Sequence, residues 1–570
     1  MRIHRSKDTE TRTFWQSAGQ WLRSRGGLAQ FLLTMALGIA LAVLGGSLYK
    51  RYGADILDPG LQALFAKAKD TAETALPTND LSNIYLDIGF EEYQAMAAQR
   101  DEALQKGVLL LDDDDWMRAQ IRFQHETIPV RVRLKGDWVD HLGENKWSFR
   151  VKTRSNAVLM GMRSFSLQSP HTRGFLNEWL YLEALRRADI LAPRYAFVNL
   201  VVNGDDWGIY ALEESFAKEL FESQGRREGV IVRFDESLLW RHRALFASET
   251  GQYLIDPIAS TFDSVACAET DEFNTNRVQA DPVLREESAT ALGLLRGFQS
   301  KQLAPSQVFD AELTGRYMAH TNLWGARHGL CWHNERYYYN PLTVRLEPIG
   351  YDSVPYLQPY ARFYDLAQYG DLAIMEAYSR EVTRISQASY LEELQAAYAK
   401  EHDRYSSALE QEFDPHYLKA PWDILAERQA MLWSSLHPPQ TVYTYQTEQN
   451  AEAGLTVQVA NVLRYPVVLQ GVQIDDRMAS IQADWIAEGN RGLLHCEAEP
   501  QVVLQRIQGT APKYVTLHIP AHVIDDLLPA NTSFYSTTLQ LVTNLYAVDD
   551  QVVVDVRRDY PPVLTTSVLP

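Results

Sequence analysis

Three basic residues in one short alternating stretch, Lys146, Arg150 and Lys152 of KWSFRVK, are the first sign of chemistry in this 570-residue chain. Side chains an even number of residues apart on a strand share a face, so the three are expected to point one way. The chain overall has 54 Lys and Arg against 73 Asp and Glu, a net charge of −19. Grouped cations in an acidic protein call for an anionic ligand. Phosphate is the natural one, because Arg offers a planar fork and Lys a point charge. A solvated strand face would have the same spacing, so both readings stand. A second group is His328, His333, Asn334 and Asp352. Asn and Asp on neighbouring segments suit a divalent cation that bridges phosphate oxygens. His328 could accept a proton from a hydroxyl. Each histidine would serve equally as a hydrogen bonder amid aromatic packing.

Other chemistries find no support. The acidic balance lacks the basic footprint of a nucleic-acid binder, so no nucleic-acid partner is expected. Three distant cysteines, Cys267, Cys331 and Cys496, make neither a metal cluster nor a disulfide framework. No Gly-rich phosphate loop, G-x-S-x-G elbow or H-E-x-x-H helix occurs. The acidic run Asp112 to Asp115 is read as a solvated turn rather than a cation site.

Strands and helices must position these groups. IPVRVRL (Ile128 to Leu134) alternates strictly, as a half-buried strand does, and KWSFRVK and Ser164 to Leu167 are read as two more. Asn177 to Ala188 is helical, and Tyr195 to Val202 and Trp207 to Leu212 flank an Asn203-Gly204 hairpin turn. Ser215 to Ser223 is read as a helix. Helix-rich stretches run from 281 to 324 and from 364 to 436, separated by an aromatic hairpin, Trp332 to Asp352. Beyond His437-Pro438-Pro439 only short strands recur, which predicts a C-terminal β-sandwich over 438–570.

The N-terminus reads as an anchor. Residues 26 to 49 carry no charge, and at about 1.5 Å per residue they span a hydrocarbon core of about 30 Å. The preceding 25 residues hold Arg2, Arg5, Lys7, Arg12, Arg23 and Arg25, which places them in the cytoplasm by the positive-inside rule. The expected order is a basic cytoplasmic tail (1–25), one transmembrane helix (26–49), a helical stalk (50–83), a central domain (84–437) and the sandwich. The bulk of the chain would lie outside the cytoplasm.

The central segment resembles the spore-coat protein H (CotH) kinase family. RLKGDW (Arg133 to Trp138) followed by KWSFRVK is similar to the family's paired strands, and APRYAFVNLVVNGDDWGIYALEES (Ala192 to Ser215) to its hairpin. HNERYYY (His333 to Tyr339) and PIGYD (Pro348 to Asp352) follow in the family's order. The resemblance implies an α+β, atypical protein-kinase-like bilobal domain with nucleotide between a β-rich and a helical lobe. It implies transfer of the ATP γ-phosphoryl group to a hydroxyl, with Mg or Mn as divalent metal. Lys152 or Lys146 would then hold the nucleotide phosphates beside Arg150, and Glu214 would pair with that lysine. Asn334 and Asp352 would hold the metal, with Asp352 also catalytic. Members commonly carry an Asp shortly before the His-Asn pair. Here that segment is Arg327 to Trp332, without a carboxylate, so either His328 substitutes as the base or the base is absent. The later motif keeps one Asp, Asp352, with Gly350 where another would fall. Two functions follow: a membrane-anchored kinase acting on a protein or cell-envelope hydroxyl, or a kinase-like scaffold without catalysis.

Overall fold

The computed structural model describes residues 79–143, 146–154, 156–250, 265, 268–355, 357, 371–450, 454–498, 500–507 and 511–558. The expected tail, transmembrane helix and stalk up to residue 78 lie outside these. Among the described residues no helix is long and apolar enough to cross a membrane. From Asn79 onward the described residues belong to one compact unit.

Seven strands close a barrel: β1 (Ser82–Ile88), β2 (Met117–Phe123), β3 (Glu126–Leu134), β4 (Phe149–Thr153), β5 (Ser164–Gln168), β6 (Tyr195–Val202) and β7 (Asp205–Glu214). The order around the ring is β1-β2-β3-β4-β5-β7-β6. Six of its pairings are antiparallel, and the ring is closed by β1 running parallel to β6, with Leu86 opposite Val202. The alternation in β3 turns Ile128, Val130, Val132 and Leu134 inward, where they form a core with Leu86, Phe149, Phe165, Leu200 and Leu212. Arg131 and Arg133 are left on the outside. At the closing seam, buried Asn199 exchanges hydrogen bonds with Asn79 (2.9 and 3.1 Å) and donates to Asn83 (2.8 Å). Its polar atoms are thereby satisfied away from water.

A helix that the sequence pattern does not suggest, α1 (Phe90–Lys106), follows β1 and ends at the left-handed Gly107. Only Met96 and Ala103 of it are buried, so it has almost no apolar stripe to reveal its period. The expected helix at 177–188 is α2 (Leu176–Arg187). The expected strand from Lys146 begins only at Phe149. After the barrel come β8 (Ile231–Asp235), α3 (Ser237–Thr250, not anticipated) and β9 (Glu269–Glu272). Helices α4 (Pro282–Gln299) and α5 (Ala311–Trp324) follow, then the aromatic hairpin β10 (Arg336–Asn340) and β11 (Arg345–Ile349). The hairpin joins β8 and β9 in a second sheet, ordered β11-β10-β8-β9. Helices α6 (Leu372–Ile385), α7 (Ala388–Leu409) and α8 (Trp422–Leu436) complete the helical part.

Beyond residue 441 the described residues form two further sheets, with short helical turns between their strands. A three-stranded sheet contains Val442–Asn450, Gly454–Asn461 and Val515–Ile519, and a five-stranded one is centred on Val467–Ile474. Both contribute to the same apolar cluster as α5, α6 and α8. Tyr465 reaches from this region to donate to the carbonyl of Met375 at 2.9 Å. The barrel interior is a separate cluster. The structure is thus mixed α+β with a closed barrel, an element that the strand pattern alone does not imply.

Asn199→Ala would leave Asn79 and Asn83 without their partner at the seam. A loss of about 1–3 kcal/mol is expected, read as a lower midpoint in thermal or urea unfolding.

Candidate active site

Strand alternation decides which basic residue is drawn inward. Leu134 ends β3 inside the barrel, so Lys135 leaves by the opposite face. Its ammonium donates to Glu213 Oε2 and Gln168 Oε1, both at 2.6 Å. Lys135 is 3% exposed and Glu213 1%. Two opposite charges so far from water hold together only because each compensates the other. Burial, with Arg173 and Arg150 nearby, pulls the lysine pKa down to about 8 against the opposing charge of Glu213. The next residue, Gly136, has φ +111°, and a Cβ there would stand 2.6 Å from the side chain of His141. The chain can turn here only without a side chain.

The second charged pair is built by the turn after β11. Asp352 Oδ1 lies 2.9 Å from Arg173 Nη1 and 3.3 Å from His328 Nδ1. Burial pushes the Asp352 carboxyl up, but Arg173, then His328 and Lys135, outweigh it and hold it well below the usual carboxylate range. His328 Nδ1–H donates to the carbonyl of Asp352 at 2.7 Å. In the neutral ring Nε2 is therefore the basic nitrogen. Burial opposes a charged His328, yet the hydrogen bond and charge of Asp352 raise its pKa above the ordinary histidine value. Asn334 Nδ2 donates to the carbonyl of His328 at 3.1 Å. Gly329 lets this turn approach, because a Cβ there would come within 2.9 Å of the Tyr351 carbonyl and Ser353 Oγ.

Both pairs adjoin one cavity of about 630 Å³, lined in part by Lys135, Arg150, Arg173, His328, Asn334 and Asp352. Further cations come from β8 and β10. Arg233 pairs with Asp271 (3.1 Å) and Glu236 (3.3 Å), and Arg336 approaches the same Glu236 at 3.4 Å. Arg150 has no ion-pair partner among the described residues. Among the described residues the buried Nε–H groups of Arg150, Arg173 and Arg336 meet no acceptor. Three unmet guanidinium donors around a cavity call for an oxygen-rich anion.

The residues singled out by spacing separate on folding. Arg150 lines the cavity. Lys152, two residues on, lies outside its lining with its ammonium 4.6 Å from the Trp116 ring centroid. Lys146 precedes the strand and does not share that face. It donates to the carbonyls of Trp207 and Ile209 at 2.9 Å and pairs with Glu412 at 2.6 Å. Glu214 faces Arg194, accepting from its backbone N–H (3.1 Å) and Nε–H (3.0 Å). The glutamate that meets a lysine is its neighbour, Glu213. His328, Asn334 and Asp352 come together. His333 also lines the cavity, its pKa lowered to about 4 by burial and by the cations around it. Sequence reasoning passed over Lys135, Glu213 and Arg173. Lys135 stood in the quoted RLKGDW, where the end of the alternation in β3 was the available signal. Gly350, standing where a second carboxylate was expected, has Leu185 against it where a side chain would go.

This donor chemistry fits a nucleotide phosphate better than a divalent cation. Among the described residues no three His, Cys, Asp or Glu side chains are grouped to hold a metal. The single carboxylate at the turn is already neutralised by Arg173. Gly136→Ala should drive His141 and Lys135 apart, lowering the unfolding midpoint by an equivalent of about 1–3 kcal/mol. It should also weaken binding of inorganic triphosphate, measured by calorimetry.

No curated protein matches the chain. Residues 132–272 match the family model described as CotH kinase protein. The matched segment carries Lys135, Arg150, Arg173 and Glu213, and ends before His328, Asn334 and Asp352. Over this segment the chain is similar to the CotH kinase protein family, a likeness that suggests a kinase-like function.

Proposed function

We propose that the protein is an atypical kinase that transfers the γ-phosphoryl group of ATP to a hydroxyl of a protein or cell-envelope acceptor. The observation that carries this reading is the meeting of two buried ion pairs, Lys135–Glu213 and Arg173–Asp352, at one cation-rich cavity. Phosphoryl transfer needs mainly alignment and neutralisation of charge on the phosphate oxygens. Lys135, Arg150 and Arg173 supply positive charge, with Glu213 fixing the lysine. His328, through Nε2, takes the proton of the acceptor hydroxyl, while Asp352 holds the ring by Nδ1 and stabilises the imidazolium that forms. A divalent ion, Mg or Mn, would take Asp352 and Asn334 as ligands once Arg173 gave up Asp352, and would add further charge neutralisation. Anchoring by residues 26–49, with the catalytic part outside the cytoplasm, is proposed on the sequence alone.

A second reading has one observation in its favour. Arg173 occupies the place at Asp352 that a cation would take, as expected of a kinase-like scaffold whose cleft holds a partner without transfer.

Thermal unfolding of the full-length protein separates the two. ATP at 100 times its Kd should add about 2.7 kcal/mol of stability, with and without Mn²⁺ as separate arms. Lys135→Met and Asp352→Asn should remove the shift and any phosphoryl transfer, whereas Lys146→Met and Lys152→Met should keep both. No shift with ATP in either arm would leave the scaffold.

Turnover should follow a bell in pH. His328 must be neutral to accept a proton, so the rate should rise as pH passes its raised pKa, above about 6.5. Lys135 must be charged, so the rate should fall beyond about 8. His328→Gln should remove the rising limb and leave the falling one.

A further inference from the structure

The turn that presents Asp352 is conformationally costly. Asp352 has φ +50° and Val354 φ +40°, a region that a β-branched residue rarely adopts. Glycine would relieve this cost at either position, yet neither is glycine, so another group must hold the backbone. That group is Glu178, the third residue of α2. Its carboxyl is fully buried. Oε1 accepts from the Ser353 N–H at 3.1 Å and Oε2 from the Val354 N–H at 2.7 Å. One side chain thus closes on the two amides that follow Asp352. Arg173, just ahead of the same helix, binds the Asp352 side chain at 2.9 Å. The start of α2 therefore fixes the turn twice, by side chain and by backbone.

Nothing else explains a buried acid at this place. Glu178 is absent from the cavity lining, so it does not meet a ligand there. It has no ion-pair partner within 4 Å among the described residues, and burial raises its pKa to about 8. A lone buried carboxyl that serves only packing would be disfavoured against an apolar residue of its size.

We infer that Glu178 is a positioning residue that sets the strained turn at Asp352 and, through it, the placement of the carboxylate and of His328. The functional part of this inference rests on the kinase reading above; the structural part does not.

Hydrogen exchange by mass spectrometry on the full-length protein tests it, with Glu178→Ala and Glu178→Gln. Glu178→Ala removes both acceptors and should speed exchange at Ser353 and Val354 at least tenfold, with the barrel strands unchanged. Glu178→Gln retains one acceptor oxygen and should fall between Ala and wild type; it also serves if the alanine variant does not fold. In the active enzyme Glu178→Ala should lower kcat more than it raises KM, and shift the rising limb of the pH profile toward the ordinary histidine value, with Gln restoring part of both. Wild-type exchange at 353 and 354 in a folded Glu178→Ala or Glu178→Gln protein would overturn the inference. Faster exchange in a protein whose wild type does not bind ATP would uphold the positioning role and reject the kinase reading instead.

Discussion

Burying charge is the constraint on which the rest of this site depends. Lys135, Glu213, Arg173 and Asp352 all sit largely out of water, and each would cost several kcal/mol there alone. They are tolerable only as close pairs, and the pairs join four otherwise separate pieces of chain two by two. Lys135–Glu213 ties the end of β3 to β7. Arg173–Asp352 ties the segment ahead of α2 to the turn after β11. Because the two pairs border the same cavity, the geometry of the barrel and that of the hairpin sheet are set relative to one common space.

That space is suited to phosphate by what remains unsatisfied in it. The ion pairs consume most of the formal charge, but guanidinium groups have five donors, and three buried Nε–H groups are left over. An unmet buried donor costs free energy that a ligand oxygen can recover on binding. The chain is acidic overall, so this local surplus of donors is a feature of the site and not of the protein's surface. His328 adds a group able to move a proton near neutral pH, held in a defined tautomer by Asp352.

The lysines illustrate how position along a strand is converted into role. Lys146, Arg150 and Lys152 share a spacing, yet only Arg150 lines the cavity. The strand begins at Phe149, so Lys146 is free of its alternation and turns to Glu412 and two carbonyls near the hairpin. Lys152 lies further along the barrel, over Trp116. Glu213 and Glu214 differ by one residue, which on a strand means opposite faces, one toward Lys135 and one toward Arg194.

Local pattern was enough for what depends on near neighbours. Strict alternation in β3, the Asn203-Gly204 hairpin, the apolar period of α2 and the strand-rich C-terminal part were all legible, because burial of one face imposes its period on the residues themselves. The grouping of His328, Asn334 and Asp352 was legible too, since one short hairpin joins them. Closure of the barrel through the parallel β1–β6 pairing was not, and neither was the choice of Lys135 over Lys146. Those outcomes depend on contacts between residues about 80 or more apart, Lys135 with Glu213 and Arg173 with Asp352. Spacing carries no information about which distant charges will compensate one another; only the packed fold, by excluding water from both partners at once, decides that.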